Sequence, residues 1–182
     1  MKFAKDIVIA FLDSLCATPD IASLYRNGTD GEWTPVATTA LVQAGQECFP
    51  KAEFAAKGHK DTSGVSEYFA IDVLGYGLGE WGRPLFAAEH ENRSVQDRVH
   101  LQYAAWKLYS VDVQRRVLVS FYSPGTKVES FERMCELVRE VASFQRGKDL
   151  ILIGADYNAT PATPDDVRAL FDSQIIGVFQ SE

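Results

Sequence analysis

The chain is poor in the residues that soft metals and extracellular frameworks need. Its 182 residues include only three cysteines and three histidines. Cys16, Cys48 and Cys135 are odd in number, widely separated and in no C-x-x-C arrangement, which argues against a disulfide scaffold and for thiols in a reducing compartment. His59, His90 and His100 are too scattered to form a zinc set. Positive charge is also scarce: 18 Lys and Arg against 25 Asp and Glu leave a net charge of -7. That balance disfavours a dedicated nucleic-acid or anionic-membrane binder, whose affinity rests largely on Lys and Arg, although a nuclease with a local basic rim is compatible with it. No apolar run approaches the roughly 20 residues of a membrane span. The apolar stretch between Asp6 and Asp13 is too short and too acidic for a signal peptide, so a cytoplasmic protein with no membrane partner is expected. Repeats and low-complexity tracts are missing as well, and the length suits a single domain over residues 1–182.

What is present is an alternation of helical and extended patterns, the signature of an α/β fold. Phe3, Ile7, Ala10, Phe11 and Leu15 recur at helical spacing in a first helix over 2–16, which Thr18-Pro19-Asp20 ends. Asn27 to Trp33 reads as a polar loop. Thr34-Pro35 reads as an N-cap followed by a first-turn proline, opening a helix to about Cys48. A short strand near Glu53 to Lys57 follows. Ser94 is the candidate cap of a helix from Val95 to about Tyr109. Arg116 to Tyr122 reads as a strand, and Phe131, Met134, Cys135, Val138, Val141 and Ala142 form the stripe of an amphipathic helix. Leu150 to Ile153 has the unbroken apolar character of a buried parallel strand. Thr163-Pro164-Asp165-Asp166 starts one more helix, and Ile175 to Phe179 is a candidate edge strand. The expected order is α-α-β-β-β-α-β-α-β-α, a central mixed sheet flanked by helices.

The acids worth most attention end two apolar runs in the middle of this order. Glu67 to Gly75 and Pro84 to Glu91 read as strands joined by a Gly-rich turn, hence as a hairpin. Residues two apart on a strand share a face, so Glu89 and Glu91 project together while His90 points the other way. If the strands pair, Asp72 completes a three-carboxylate cluster. Like charges held that close call for a cation or a proton between them, and hard oxygen donors favour Mg²⁺ or Mn²⁺ over zinc.

The order helix, three strands, helix, strand, with Asp72 in the second strand and Glu89-x-Glu91 closing the third, resembles the PD-(D/E)xK restriction-endonuclease-like nucleases over residues 34–122. On that resemblance, helix 2–16 and the α/β segment 129–179 are additions to a nuclease-like core. The resemblance implies that Asp72 and Glu89 bind Mg²⁺ or Mn²⁺ and that the partner is nucleic acid, DNA ahead of RNA. Glu91 stands where the family usually has lysine, and Ile71 where it usually has proline. Glu91 would then act as a further ligand or as the base that orients water. Glu47, near the end of the preceding helix, corresponds to an acid that family members often add to the metal site. Lys107, on the helix after the third strand, could replace the missing lysine, because the family's lysine sometimes migrates there. Arg93, Arg98, Lys57 and Lys60 are candidates for a phosphate-binding rim. The alternative function is a scaffold of this type that no longer cleaves and binds a protein or nucleic acid, and it predicts weak or absent metal binding. A second resemblance, of Gly154-Ala-Asp-Tyr-Asn158 to the Gly-Asp-Phe-Asn strand end of the DNase I-like phosphodiesterases, is interrupted by an extra alanine. Asp156 and Asn158 are therefore expected to begin a turn.

Overall fold

The computed structural model describes residues 2–56, 70–78, 82–92, 97–145 and 147–177. Six helices and six strands are described, in the order α1 (Lys2–Cys16), α2 (Ile21–Asn27), α3 (Asp30–Cys48), β1 (Glu53–Ala56), β2 (Val73–Tyr76), β3 (Pro84–Glu91), α4 (Arg98–Ser110), β4 (Arg115–Tyr122), α5 (Phe131–Ala142), β5 (Leu150–Asp156), α6 (Pro164–Ala169) and β6 (Phe171–Ile176). The strands form one open mixed sheet in sequence order, β1-β2-β3-β4-β5-β6. β1, β2 and β3 form an antiparallel meander, β3, β4 and β5 run parallel, and β6 returns antiparallel at the far edge. The protein is thus α/β, as the alternating patterns indicate.

Strand periodicity divides the core between the two faces of this sheet. Phe86, Ala88, Val117, Val119, Phe121, Ile151 and Ile153 pack on one side with α1, α2, α3 and α6. Ala87, Leu118, Leu150 and Leu152 pack on the other with α4 and α5. Both faces of the parallel strands are covered, which is why β4 and β5 read as nearly continuous apolar runs. Small residues set the helix approach: Gly45 of α3 and Gly75 of β2 leave the space that the Phe54 ring fills. On the other face, Gly154 admits Phe131 and Met134 of α5, where an added Cβ would stand 2.7 Å from the Phe131 ring.

The structure departs from the sequence pattern in four places. Residues 21–27 form a helix, and α3 begins at Asp30. Its cap is Thr29, not Thr34: Thr29 and Glu32 make a reciprocal capping box, with the Thr29 amide donating to Glu32 at 2.9 Å. Pro35 consequently lies inside the helix. It stands near the N-terminus, where it forfeits one backbone bond and the rest of α3 continues past it. The second correction concerns β2, which starts at Val73, so Asp72 precedes the strand. Ala70 turns the chain there with a left-handed φ of 54°; residues 67–69 lie outside the described segments. Third, α4 is capped by Asp97, whose side chain accepts from the Val99 amide; Ser94 and Val95 lie outside the described residues. Fourth, the edge strand β6 runs from Phe171 to Ile176, so it starts earlier than the pattern at Ile175 to Phe179 suggests; Val178 and Phe179 lie outside the described residues.

The C-terminal end of α4 is anchored by two cations. Arg116, only 4% exposed, donates to the carbonyls of Leu108 at 2.9 Å and Val111 at 2.7 Å. Lys148 donates to the Tyr109 carbonyl at 2.7 Å. Positive groups suit the orphan carbonyls at a helix C-terminus. Lys107 lies in that clamped last turn, so the clamp also fixes its backbone.

Candidate functional site

The candidate site is built by the start of β2, the second half of β3 and the last turns of α4. The hairpin register pairs Val73 with Ala88, so Asp72 falls beside Glu89 and His90 as the chain leaves the ladder. Its carboxylate then acts as a ladder acceptor: Asp72 Oδ2 receives the His90 amide at 2.9 Å. A backbone N–H fixes the orientation of that carboxylate.

Glu89 faces α4, sharing its side of β3 with Ala87, and is 3% exposed. Lys107 meets it there, with Nζ donating to Glu89 Oε2 at 2.7 Å and to the Ala70 carbonyl at 3.0 Å. The other oxygen, Oε1, is buried without a hydrogen-bond partner. Desolvation is the main influence on this carboxyl, and the neighbouring Asp72 charge adds to it. Together they outweigh the Lys107 ammonium and hold the Glu89 pKa up at about 8. A buried carboxyl with one oxygen unsatisfied, beside a second carboxylate, has capacity left for a proton or a cation.

Three elements therefore bring Asp72, Glu89 and Lys107 together. Glu91 lies two residues further along the same face of β3, half-buried, and its carbonyl accepts from Ser120 Oγ at 2.9 Å. Glu47 is not brought to this cluster. It belongs to α3, which covers the opposite face of the sheet, and with Arg115 and Asp6 it is one of the charges that act on the Cys48 thiol. Of the proposed basic rim, Arg98 opens α4, while Arg93, Lys57 and Lys60 lie outside the described residues. Among the described residues, no three or more His, Cys, Asp or Glu side chains form a ready metal-ligand group. Asp72 and Glu89 are the two side chains that could hold a hard divalent ion, since Mg²⁺ is usually held by one or two carboxylates and completes its shell with waters and substrate oxygens.

His90 occupies the reverse side of β3, as strand alternation requires. Its Nε2 accepts from Trp33 Nε1 at 2.8 Å, which puts the imidazole proton on Nδ1. Burial pushes its pKa down to about 3, so the ring is neutral. Trp33 serves the core, whereas Trp106 is 51% exposed; Trp81 and His59 lie outside the described residues. Asp156 accepts from the Asn158 amide at 2.9 Å and so begins the expected turn.

Strand alternation puts Glu89 and Glu91 on one face of β3, whereas the reach of Lys107 depends on the rotation of α4 about its axis. The weak sequence signal was a lysine in the last turns of an otherwise apolar helix. Comparison with protein-family models, curated proteins and solved structures gives no significant match. Among the described residues, no single helix is long and apolar enough to cross a membrane.

Proposed function

We propose that the protein is a divalent-metal-dependent phosphodiester hydrolase of the PD-(D/E)xK type, with Asp72 and Glu89 as metal ligands and Lys107 in the role of the family's lysine. The observation that carries this reading is the Lys107 Nζ contact with Glu89 at 2.7 Å, beside Asp72. It joins a lysine from a later helix to two of the three acids that the strand pattern singles out. The order α3-β1-β2-β3-α4-β4 supports a restriction-endonuclease-like core, since it repeats the helix, three strands, helix and strand of that family.

A Mg²⁺ or Mn²⁺ ion held by Asp72 and Glu89 would polarise a phosphodiester and acidify an attacking water. The chain's own groups supply the remainder. The His90 amide keeps Asp72 oriented, and α4 shields Glu89 from solvent. Lys107 offers an ammonium at the edge of the cluster, where it can neutralise charge that builds on the phosphate. Glu91, on the same face and closer to the strand end, is the carboxylate available to accept the proton of water.

The same contact also suits a second reading, a scaffold that does not cleave, because Glu89 Oε2 already has a cationic partner in Lys107. An activity panel separates the two. With Mg²⁺ or Mn²⁺, wild-type protein is expected to cut at least one of single-stranded DNA, duplex DNA or RNA. Asp72→Asn is expected to lower that rate by at least about a hundredfold, and chelation by EDTA to abolish it. Cleavage that persists in Asp72→Asn or in EDTA would remove the site from the reaction.

A further inference from the structure

The last turns of α4 carry a second feature, beside Lys107. Tyr103 and Trp106, three residues apart, stack on one another with ring centroids 5.8 Å apart and planes within 19°. They are 55% and 51% exposed, an unusual position for two large aromatic rings. Lys107 Nζ lies 5.5 Å from the Tyr103 ring centre. The aromatic pair therefore adjoins the same ammonium that contacts the Glu89 carboxylate.

These residues line a groove of about 490 Å³ that also includes Ala70, Arg83 and Asp112. That volume falls within the range of sites that hold a small organic group. The charged groups of its lining are two cations and one acid, in a chain whose net charge is -7. Arg83 is paired with Asp112 only at 3.5 Å, with both side chains well exposed, so the guanidinium can exchange that partner for a phosphate at little cost. Flat aromatic faces next to cations, at the edge of a carboxylate pair, match the chemistry of an unpaired nucleobase attached to its phosphate.

We infer that Tyr103 and Trp106 form a stacking platform for an unpaired nucleobase, so that the substrate is a single-stranded nucleic acid lying across α4 toward Asp72 and Glu89. The inference rests on the proposed hydrolase site for what happens to the strand, but not for its binding. A base-paired strand keeps its faces stacked on neighbouring pairs and gains nothing from the platform. A modest set of cations suffices, because stacking carries affinity that phosphate contacts otherwise supply.

The test uses a fluorescein-labelled oligothymidylate, the same strand annealed to oligoadenylate, and thymidine monophosphate, each titrated into the full chain in EDTA so that nothing is cut. Wild type is expected to bind the single strand at least about tenfold more tightly than the duplex. Tyr103→Ala and Trp106→Ala should each weaken it by about tenfold or more, while Tyr103→Phe and Trp106→Phe restore most of the affinity. Both positions are half-exposed, so these variants are expected to stay folded, which circular dichroism checks. Equal affinity for duplex, no binding of the single strand, or alanine variants that bind like wild type would overturn the inference. So would alanine variants that change only the oligomeric state, which would make the stripe a self-association face. Monophosphate binding as tight as the oligonucleotide would replace the strand by a free nucleotide. Mn²⁺ binding by the same variants reports on the hydrolase site separately: aromatic-dependent strand binding without Mn²⁺ binding would sink the hydrolase alone, and the reverse pattern would sink the platform alone.

Discussion

Lys107→Met is expected to lower phosphodiester cleavage by about a hundredfold to ten-thousandfold, the range in which positioned acid, base and charge-stabilising groups contribute. Methionine keeps the length and apolar stem of the lysine and removes the ammonium that touches Glu89 at 2.7 Å. Leaving a buried carboxylate without its cation usually costs several kcal/mol. Here that cost is avoidable, because Glu89 already holds its proton to about pH 8 through desolvation and the Asp72 charge, and loss of Lys107 favours the protonated form further. The variant should therefore remain folded near pH 7 while losing turnover. Initial rates under saturating Mn²⁺, with chemical denaturation as the folding control, check it. Rates within about threefold of wild type would take Lys107 out of the reaction and leave it as the partner of a buried acid.

Stability without metal is expected to fall as pH rises from about 5 to about 9. In the unfolded chain Glu89 ionises near its ordinary value of 4.5, whereas in the fold it keeps its proton until about 8. Across that window the folded state binds more protons than the unfolded state, so raising the pH favours unfolding. The contribution is complete below the unfolded value and is lost by the time pH passes the folded one. Its size is on the order of 2 to 5 kcal/mol, given about 1.4 kcal/mol for each unit between the two values. Glu89→Gln cannot ionise and should flatten the decline, so that the variant overtakes wild type in stability above about pH 8. Urea denaturation across pH in EDTA provides the measurement. A wild-type profile that is flat or rising through this window would mean that Glu89 is ionised at neutral pH, stabilised by Lys107 more strongly than it is desolvated.

Local signals located most of the fold, and their failures have physical causes. β3 was legible to the residue, because Pro84 marks its start and the Glu-x-Glu its end. The helix α5 was legible because its apolar stripe recurs at helical spacing from Phe131 to Ala142. The helix α6 was legible from Thr163-Pro164-Asp165-Asp166, where Thr163 and Asp166 form a capping box and Pro164 opens the first turn. At α3 two start signals compete, Thr29-x-x-Glu32 and Thr34-Pro35, and the reciprocal bonds of the first outweigh one backbone bond lost to a proline near the helix start. The short α2 has few residues to display a period, and its burial of Ile21 and Ala22 against the rest of the protein stabilises it in place of intrinsic propensity. Within the site, strand alternation predicted that Glu89 and His90 take opposite faces. The approach of Asp72 needed the register with Ala88, the separation of Glu47 needed knowledge of which face α3 covers, and the reach of Lys107 needed the packing of α4. These are tertiary facts with no short-range signature.

The most direct test of the central claim is calorimetric titration of Mn²⁺ into wild type, Asp72→Asn and Glu89→Gln at pH 8, each shown to be folded. Binding is expected in wild type, and each substitution is expected to weaken it by at least about tenfold, since one of two protein ligands is removed. No binding in wild type, or binding that survives both substitutions, would contradict a metal site at Asp72 and Glu89 and leave the pair, with Lys107, as the charged core of a scaffold that does not cleave.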